Sequence, residues 1–353
     1  MPPRSHTAQP PLSQTQRMLQ IASHAALSLS SHNQPHALLP TGNSVPLASE
    51  IYYAGLSQEL SDKGFTPAAP QLGHLIRQLD ALAHTTQRYE EIHLRALKTA
   101  DKTYKFDLNN SASQVIELSP SGWKLQFDLD TRFYRPDTSH PYLFPDPVKT
   151  KFHRCLEQLF HLTPEKAKSL THWMIQALLP GETPPALILT GKARIKAAEK
   201  IRSIIDPVIN PIQAMPATSR QLGRLALSNR ILAFAVSTKL SPNRLASLNE
   251  IREGSIVELP QVTRARDPLS AQVQCAIILS TAEPQTIHEG QLEIEINSAH
   301  LLTDRSKMLT SLLNAAVFYL KDKEVTPIQI LELVSSAPFT DPPKDPDTQG
   351  PYP

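Results

Sequence analysis

Glycine is scarce in this chain, with 11 among 353 residues, and cysteine is nearly absent, with two. Glycine supplies backbone angles that other residues resist, so its scarcity leaves few places for a loop that wraps a phosphate chain. Two cysteines, Cys155 and Cys275, cannot build a disulfide scaffold. Lying far apart in the chain, they read as buried thiols of a reducing compartment. An excess of one charge is missing too, since 35 Lys and Arg stand against 33 Asp and Glu. That balance excludes a global basic field of the kind that gathers nucleic acid, so any such contact has to come from a local patch. No apolar run approaches the roughly 18 residues of a membrane helix. No charged stretch followed by an apolar one opens the chain as a secretory signal would. The expectation is a soluble, cytoplasmic protein without membrane contact, built as about two domains at roughly 100–200 residues each.

Proline, by contrast, is abundant at 32 residues, and it punctuates the chain. Residues 1–11 read as a disordered lead, 12–31 carry apolar residues at helical spacing, and 32–46 look like a linker. Helices are expected near 47–62 and 69–84, separated by Gly64–Phe65–Thr66–Pro67. The period then changes to two. IHLRAL, TYKFDL, SQVIEL and WKLQFDL alternate apolar with polar residues and are joined by turn-rich pieces, which predicts an antiparallel meander. The proline-rich 135–147 is the best domain boundary, closing an N-terminal α+β domain over 47–147.

From 148 to 336 helices alternate with continuous apolar strands. Helices are expected near 148–162 and 164–179, then the strand PALILT, a helix over 193–205 and a polar helix near 217–228. ILAFAVS, QVQCAIILS and QLEIEI supply three further strands. Such a pattern predicts a mainly parallel sheet covered on both faces. Leu187, Ile188, Leu189, Ile231, Leu232, Phe234, Ile277, Ile278 and Leu279 are the expected core strand residues. Helices near 303–322 and 326–336 finish the fold, and the proline-rich tail 337–353 is expected to be disordered.

The pieces SQVIELSPSGWKL, PDPV, LILTG with IRSIIDPVINPIQAMPATSRQL, LALSNRILAF, LSPNRLASL and CAIILS follow one another in a specific order. In that order the chain from about 50 to 320 resembles a family of phage- and plasmid-borne P-loop ATPases associated with primases and helicases. The resemblance implies an α/β fold, a P-loop NTPase-like core with a mainly parallel sheet preceded by a smaller N-terminal α+β domain. It also implies a Gly-rich phosphate loop after LTG, a lysine, and a magnesium-holding Ser or Thr. This sequence departs from all three. Only Lys192 and Ala193 separate Gly191 from Arg194, which falls where the lysine belongs, and Ile195 stands in place of the hydroxyl. A shifted register brings Lys196 near the lysine position but sets Ala197 against the metal. The acid that would end the next core strand is replaced by Ala235, followed by Val236. The polar sensor is Ser280, and a further arginine is matched by Gly290.

What remains is therefore read as a catalytically inactive relative with no catalytic residue, no metal and no cofactor, ATP with magnesium being the alternative. If a nucleotide is held at all, Gly191, Lys192, Arg194 and Lys196 are the candidates. Lys192, Lys196 and Lys200 recur at four-residue intervals, and with Arg194 and Arg202 would form a basic ridge on one helix face. They and the pair Arg264 and Arg266, on an expected β-hairpin, are the DNA-binding candidates. Partners implied by the resemblance are DNA and a homo- or hetero-oligomer with related ATPases. His153, Cys155, His161 and His172 cluster in the sequence, but their spacing matches neither paired C-x-x-C ligands nor HExxH, so no zinc site is expected. No GxSxG elbow supports a serine hydrolase. The rival readings are an active NTPase or helicase-type protein with an atypical phosphate loop, a non-enzymatic interaction scaffold, and a decayed prophage gene.

Overall fold

The computed structural model describes residues 12–30, 34–39, 44–86, 88–99, 102–110, 112–128, 130–136, 138–146, 151–258, 270–282, 291–300 and 304–321. The expected lead 1–11, the helix near 326–336, the tail 337–353, Gly290, Arg264 and Arg266 lie outside them. The described chain forms two compact units that divide between Ile92 and His93.

In the first unit, α1 (Gln14–Ala22) is followed by β1 (Ala26–Ser30), β2 (Pro35–Leu38), β3 (Ser44–Pro46), α2 (Glu50–Asp62), α3 (Ala69–Thr86) and β4 (Tyr89–Glu90). Two expectations change here. The helix expected over 12–31 stops at Ala22, and residues 26–30 are a strand; the segment expected as a linker supplies β2 and β3. The physical reason is pairing. β1 and β2 run antiparallel with Leu27 opposite Ala37, and β2 pairs β3 with Ala37 opposite Val45. This small ribbon buries one face against Met18, Leu56, Leu60, Leu72, Leu75 and Leu79. Burying each leucine contributes about 1.5–3 kcal/mol, enough to outweigh the helical spacing of the alanines before it.

His36 sits on the middle strand of the ribbon, buried, with its Nδ1 sharing a hydrogen bond of 3.2 Å with Ser44 Oγ. Burial holds its imidazole down to about 4, below the ordinary 6.5. The unfolded chain therefore takes up a proton below about pH 6.5 that the folded chain refuses until about pH 4. Stability is full above this window and falls as the pH drops through it, by at most roughly 3 kcal/mol. Urea unfolding followed at pH 7 and pH 5 should show that loss, and His36→Gln should flatten it.

The second unit begins at His93, within β5 (Ile92–Leu94), and continues with the expected meander, β6 (Ala96–Lys98), β7 (Tyr104–Asp107), β8 (Gln114–Ser119) and β9 (Gly122–Phe127), paired antiparallel in sequence order. β10 (Arg132–Tyr134) follows. The sequence groups the meander with the preceding helices; here it shares a compact unit, and an apolar core, with the residues that follow it. Tyr104, Phe106, Ile116 and Leu118 pack into the cluster that holds α4 (Phe152–Phe160), α5 (Pro164–Leu178) and Leu187 and Leu189 of β11 (Ala186–Thr190). Then come α6 (Arg194–Ile205), β12 (Gln213–Ala214), α7 (Ser219–Ser228), β13 (Ile231–Val236), α8 (Pro242–Glu253), the β14 (Ser255–Glu258) and β15 (Ser270–Val273) hairpin, β16 (Ala276–Thr281), β17 (Gln291–Glu295) and α9 (Arg305–Lys321). The hairpin expected around Arg264 and Arg266 is present at its base, with Ser255 opposite Val273 and Glu258 opposite Ser270.

Five strands form one sheet in the order β12-β13-β16-β11-β17, and every neighbouring pair is parallel. Alternate residues of each strand enter different cores, as the two-residue period requires. Leu187, Leu189, Ile231 and Ile278 face the cluster containing α6 and α9, while Ile188, Leu232, Phe234, Ile277 and Leu279 face the cluster with Leu222 of α7 and Leu248 of α8. The nine core residues expected from the sequence are all buried. β17, also expected as buried, is an edge strand and half exposed.

At the amino ends of these strands lies a buried charge cluster. Arg95, 1% exposed, donates from Nη1 to Asp206 Oδ1 (3.2 Å) and the Pro207 carbonyl (2.9 Å), and from Nη2 to the His140 carbonyl (2.8 Å). Its guanidinium lies over the Tyr142 ring, 4.8 Å from the centroid. Nearby, Asp107 receives two bonds from Arg135. Removing one member of a buried pair strands the other charge, which costs about 3–5 kcal/mol. Asp206→Ala should therefore lower the urea midpoint steeply, and the double variant Asp206→Ala with Arg95→Met should recover part of the loss.

Candidate functional site

Ligands of parallel sheets sit at the carboxyl ends of the strands, where the chain leaves one strand for a helix. Here the ends of β11, β16 and β13 are adjacent, with Leu189 opposite Ser280 and Ala235 opposite Ser280. The register thus places side by side the three positions singled out in the sequence: the turn at Gly191, Ser280 and Ala235.

β11 ends at Thr190 and α6 begins at Arg194, so the turn between them is Gly191, Lys192 and Ala193. Gly191 adopts φ +87°, the left-handed region that glycine tolerates. The turn is filled by the chain that leaves β17. The Lys192 N–H donates to Asn297 Oδ1 (3.3 Å), and the Ala193 N–H donates to the Ile296 carbonyl (3.0 Å). Ile296 in turn donates its N–H to Thr190 O (2.9 Å), and Asn297 Nδ2 donates to Glu295 Oε1 (2.9 Å). A phosphate cradle is a nest of backbone N–H groups turned to one point. In this turn two such groups are already bonded to protein.

The remaining parts are equally specific. Arg194 folds back and donates from Nη1 to the Gly191 carbonyl at 3.1 Å. Ser280 is 1% exposed, and its hydroxyl meets no hydrogen-bond partner among the described residues. Ala235 and Val236 end β13, and the residues after them, Ser237, Thr238 and Lys239, contain no carboxylate. α6 has no side-chain cap and no acid in its first turn.

Of the basic ridge, Lys192 and Lys196 face solvent. Lys200 is partly buried and donates to the His300 carbonyl; desolvation, then the neighbouring Lys196, holds its ammonium below the usual lysine range. Arg202 departs from the expected ridge altogether. It is 1% exposed and donates to the Pro211 carbonyl (2.8 Å) and to Asn229 Oδ1. At i+8 from Arg194 it falls on the inner face of α6, beside the buried Ile201 and Ile205.

The clustered histidines also separate. His153 is buried on α4, His172 meets the Tyr319 ring edge-on, and His161, at the end of α4, lies against the ring of His300. Cys275 is buried and donates to the Asn229 carbonyl at 3.0 Å, and burial pushes its thiol up to about 12. Cys155, expected as buried, is only half-buried. Such thiols are poor nucleophiles.

Ile296, Asn297 and His300 are the residues that sequence reasoning did not single out. An asparagine after a strand signals only a turn, and nothing in its spacing points to a partner 105 residues earlier.

A Cβ on Gly191 would stand 2.5 Å from the Ile296 carbonyl oxygen. Gly191→Ala therefore combines left-handed strain with a backbone clash. It should destabilise the second unit by about 2 kcal/mol or more, read as a drop in the thermal and urea midpoints. Asn297→Ala, which removes one acceptor, should cost only about 1 kcal/mol.

No protein-family model and no curated protein matches this sequence. Among solved structures the chain is similar to the apo form of the NrS-1 C-terminal region, at 10% identity, covering 88% of this chain and 70% of that one, with a TM-score of 0.43. It is also similar to a full-length MCM homolog from Methanopyrus kandleri, at 12% identity, with 85% and 75% coverage and a TM-score of 0.31. A third likeness is to JCV helicase, at 12% identity, covering 52% of this chain and 64% of that one, with a TM-score of 0.25. At such TM-scores these likenesses add nothing to the fold read from the strand pairing itself.

Proposed function

We propose that this chain is a P-loop ATPase-like protein of phage or plasmid origin without phosphoryl-transfer chemistry, serving DNA replication as an accessory or structural subunit. One observation carries the reading. The turn after the first core strand is closed by the backbone of Ile296 and the side chain of Asn297, which take the Lys192 and Ala193 N–H groups. Phosphoryl transfer depends on positioning and on charge stabilisation by a cradle, a lysine, a metal-holding hydroxyl and an acid. A three-residue turn followed by Arg194 and Ile195, with Ala235 in the place of the acid, offers none of these in working form. Assembly with related ATPases belongs to the same reading. Lys192 and Lys196, both facing solvent, support a contact with a nucleic-acid backbone. Arg264 and Arg266 stay candidates for that contact on sequence grounds alone.

A second reading is favoured by a specific feature of α6. Its first turn carries Arg194 and Lys196 and lacks both a capping side chain and an acid, so the helix dipole there is uncompensated and attracts an anion. An NTPase with an atypical phosphate loop would use that end. A non-enzymatic interaction scaffold is the third reading.

Thermal unfolding with and without millimolar ATP or ADP and magnesium separates them. A nucleotide at 100 times its dissociation constant stabilises a folded protein by about 2.7 kcal/mol. The proposal expects no shift; a shift abolished by Lys196→Ala would establish the second reading. Binding to single- or double-stranded DNA should weaken with salt, and Lys192→Glu with Lys196→Glu should reduce both affinity and salt slope. Salt-independent or absent DNA binding would leave the scaffold.

A further inference from the structure

The two basic residues that open α9 are placed differently. Lys307 pairs with Asp304 at 2.7 Å, and Asp146 adds to its field. Arg305 is exposed and meets no carboxylate among the described residues. Its side chain borders a shallow surface pocket whose other walls are mostly apolar, among them Pro141, Leu143, Pro207 and Leu309. Leu143 and the adjoining Phe144 are 47% and 52% exposed, and the Phe144 carbonyl accepts a bond from Ser306, the neighbour of Arg305. Two large apolar side chains and one uncompensated guanidinium thus share a face at the start of α9. A single exposed apolar residue is ordinary, but apolar residues grouped with a polar rim mark a contact surface.

We infer that this face is a docking site for the chain's own segment 338–341, with the Phe339 ring against Leu143 and Phe144 and the Asp341 carboxylate on the Arg305 guanidinium. Charge and spacing both fit. Phe339 and Asp341 are two residues apart. In a chain laid flat across a surface, side chains two apart point the same way, as adjoining apolar and cationic walls require. The pocket is shallow, so it takes a chain lying across it, not a side chain inserted in depth. Pro338 precedes the pair and Pro342 and Pro343 follow it. Proline fixes φ, so less conformational freedom is lost when such a segment docks.

The chain is long enough to return. α9 has 17 residues, Arg305–Lys321, and is therefore about 26 Å long. Phe339 follows Lys321 by 18 residues. Eighteen residues span about 27 Å even when wound wholly into helix, and up to about 60 Å when fully extended. Phe339 can therefore reach the start of α9 whatever form the intervening residues take. Because site and segment belong to one chain, they meet at an effective concentration of about a millimolar, so a weak contact suffices to hold them together.

The test is limited proteolysis of the full chain with chymotrypsin, following cleavage after Phe339 by mass spectrometry. Wild type is compared with Arg305→Glu, with Phe144→Ser, and with the double variant Arg305→Glu, Asp341→Arg. Arg305 and Phe144 are exposed, so the variants should fold; circular dichroism checks this. Cleavage should be about three- to fivefold faster in Arg305→Glu, the effect of losing one exposed ion pair, and at least as fast in Phe144→Ser. The charge-swapped double variant should regain most of the protection. Added salt should speed cleavage of wild type and leave Arg305→Glu unchanged. Lys63→Glu, which reverses an exposed charge on the first unit, should have no effect. Equal rates in wild type and both folded single variants, or no recovery in the double variant, would overturn the inference. Protection that rises with protein concentration would overturn it too, by assigning the docked segment to a second copy.

Discussion

The carboxyl end of the parallel sheet is organised around the approach of one backbone to another, Ile296 and Asn297 against Gly191. Ile296 is fully buried, so its carbonyl and N–H need partners inside the protein, and the turn after β11 supplies them through Ala193 and Thr190. The approach is close enough that no side chain fits at Gly191. Three things follow from this packing. β17 is locked beside β11 as the fifth strand, α6 starts after only three residues, and the end of the sheet is lined by satisfied backbone instead of open N–H groups. A longer glycine-rich loop would need the space that Ile296 and Asn297 occupy.

The opposite end of the sheet is held by charge. Arg95 and Asp206 are buried and paired, and Arg202 is buried among carbonyl and amide oxygens. Buried ions stabilise little beyond what apolar residues would, but they tolerate few alternative arrangements, because a misplaced charge has no water to turn to. Arg95 follows β5 and Asp206 ends α6, so the pair links the start of the meander to the parallel sheet. The shared apolar core of the meander and α4–α5 has the same effect by ordinary burial.

The parallel sheet combines an apolar core with a carboxyl end that the Ile296–Asn297 segment fills. The two ends of the sheet answer to different demands. Its core strands need only apolar residues at the right period, whereas its carboxyl end needs particular residues at single positions. Core and carboxyl end are thus set by different residues: Leu187, Ile231 and Ile278 pack the interior, while Gly191, Ile296 and Asn297 shape the end of the sheet.

Much of this was legible in the sequence. Period two marked the meander, continuous apolar runs marked β11, β13 and β16, and Thr163–Pro164 marked the start of α5, because these signals are local and arise from burial and capping. The short turn at Gly191 and the absence of an acid after ILAFAV were also plain, being matters of residue identity. Tertiary structure alone decided the rest. Residues 26–30 became a strand because a ribbon partner was available, and Arg202 turned inward because Pro211 and Asn229 offered it oxygens. His161 met His300, and Asn297 met Lys192, across more than 100 residues of chain. No periodicity encodes such encounters. They depend on which distant segments the packed core brings together, and that is a property of the whole fold.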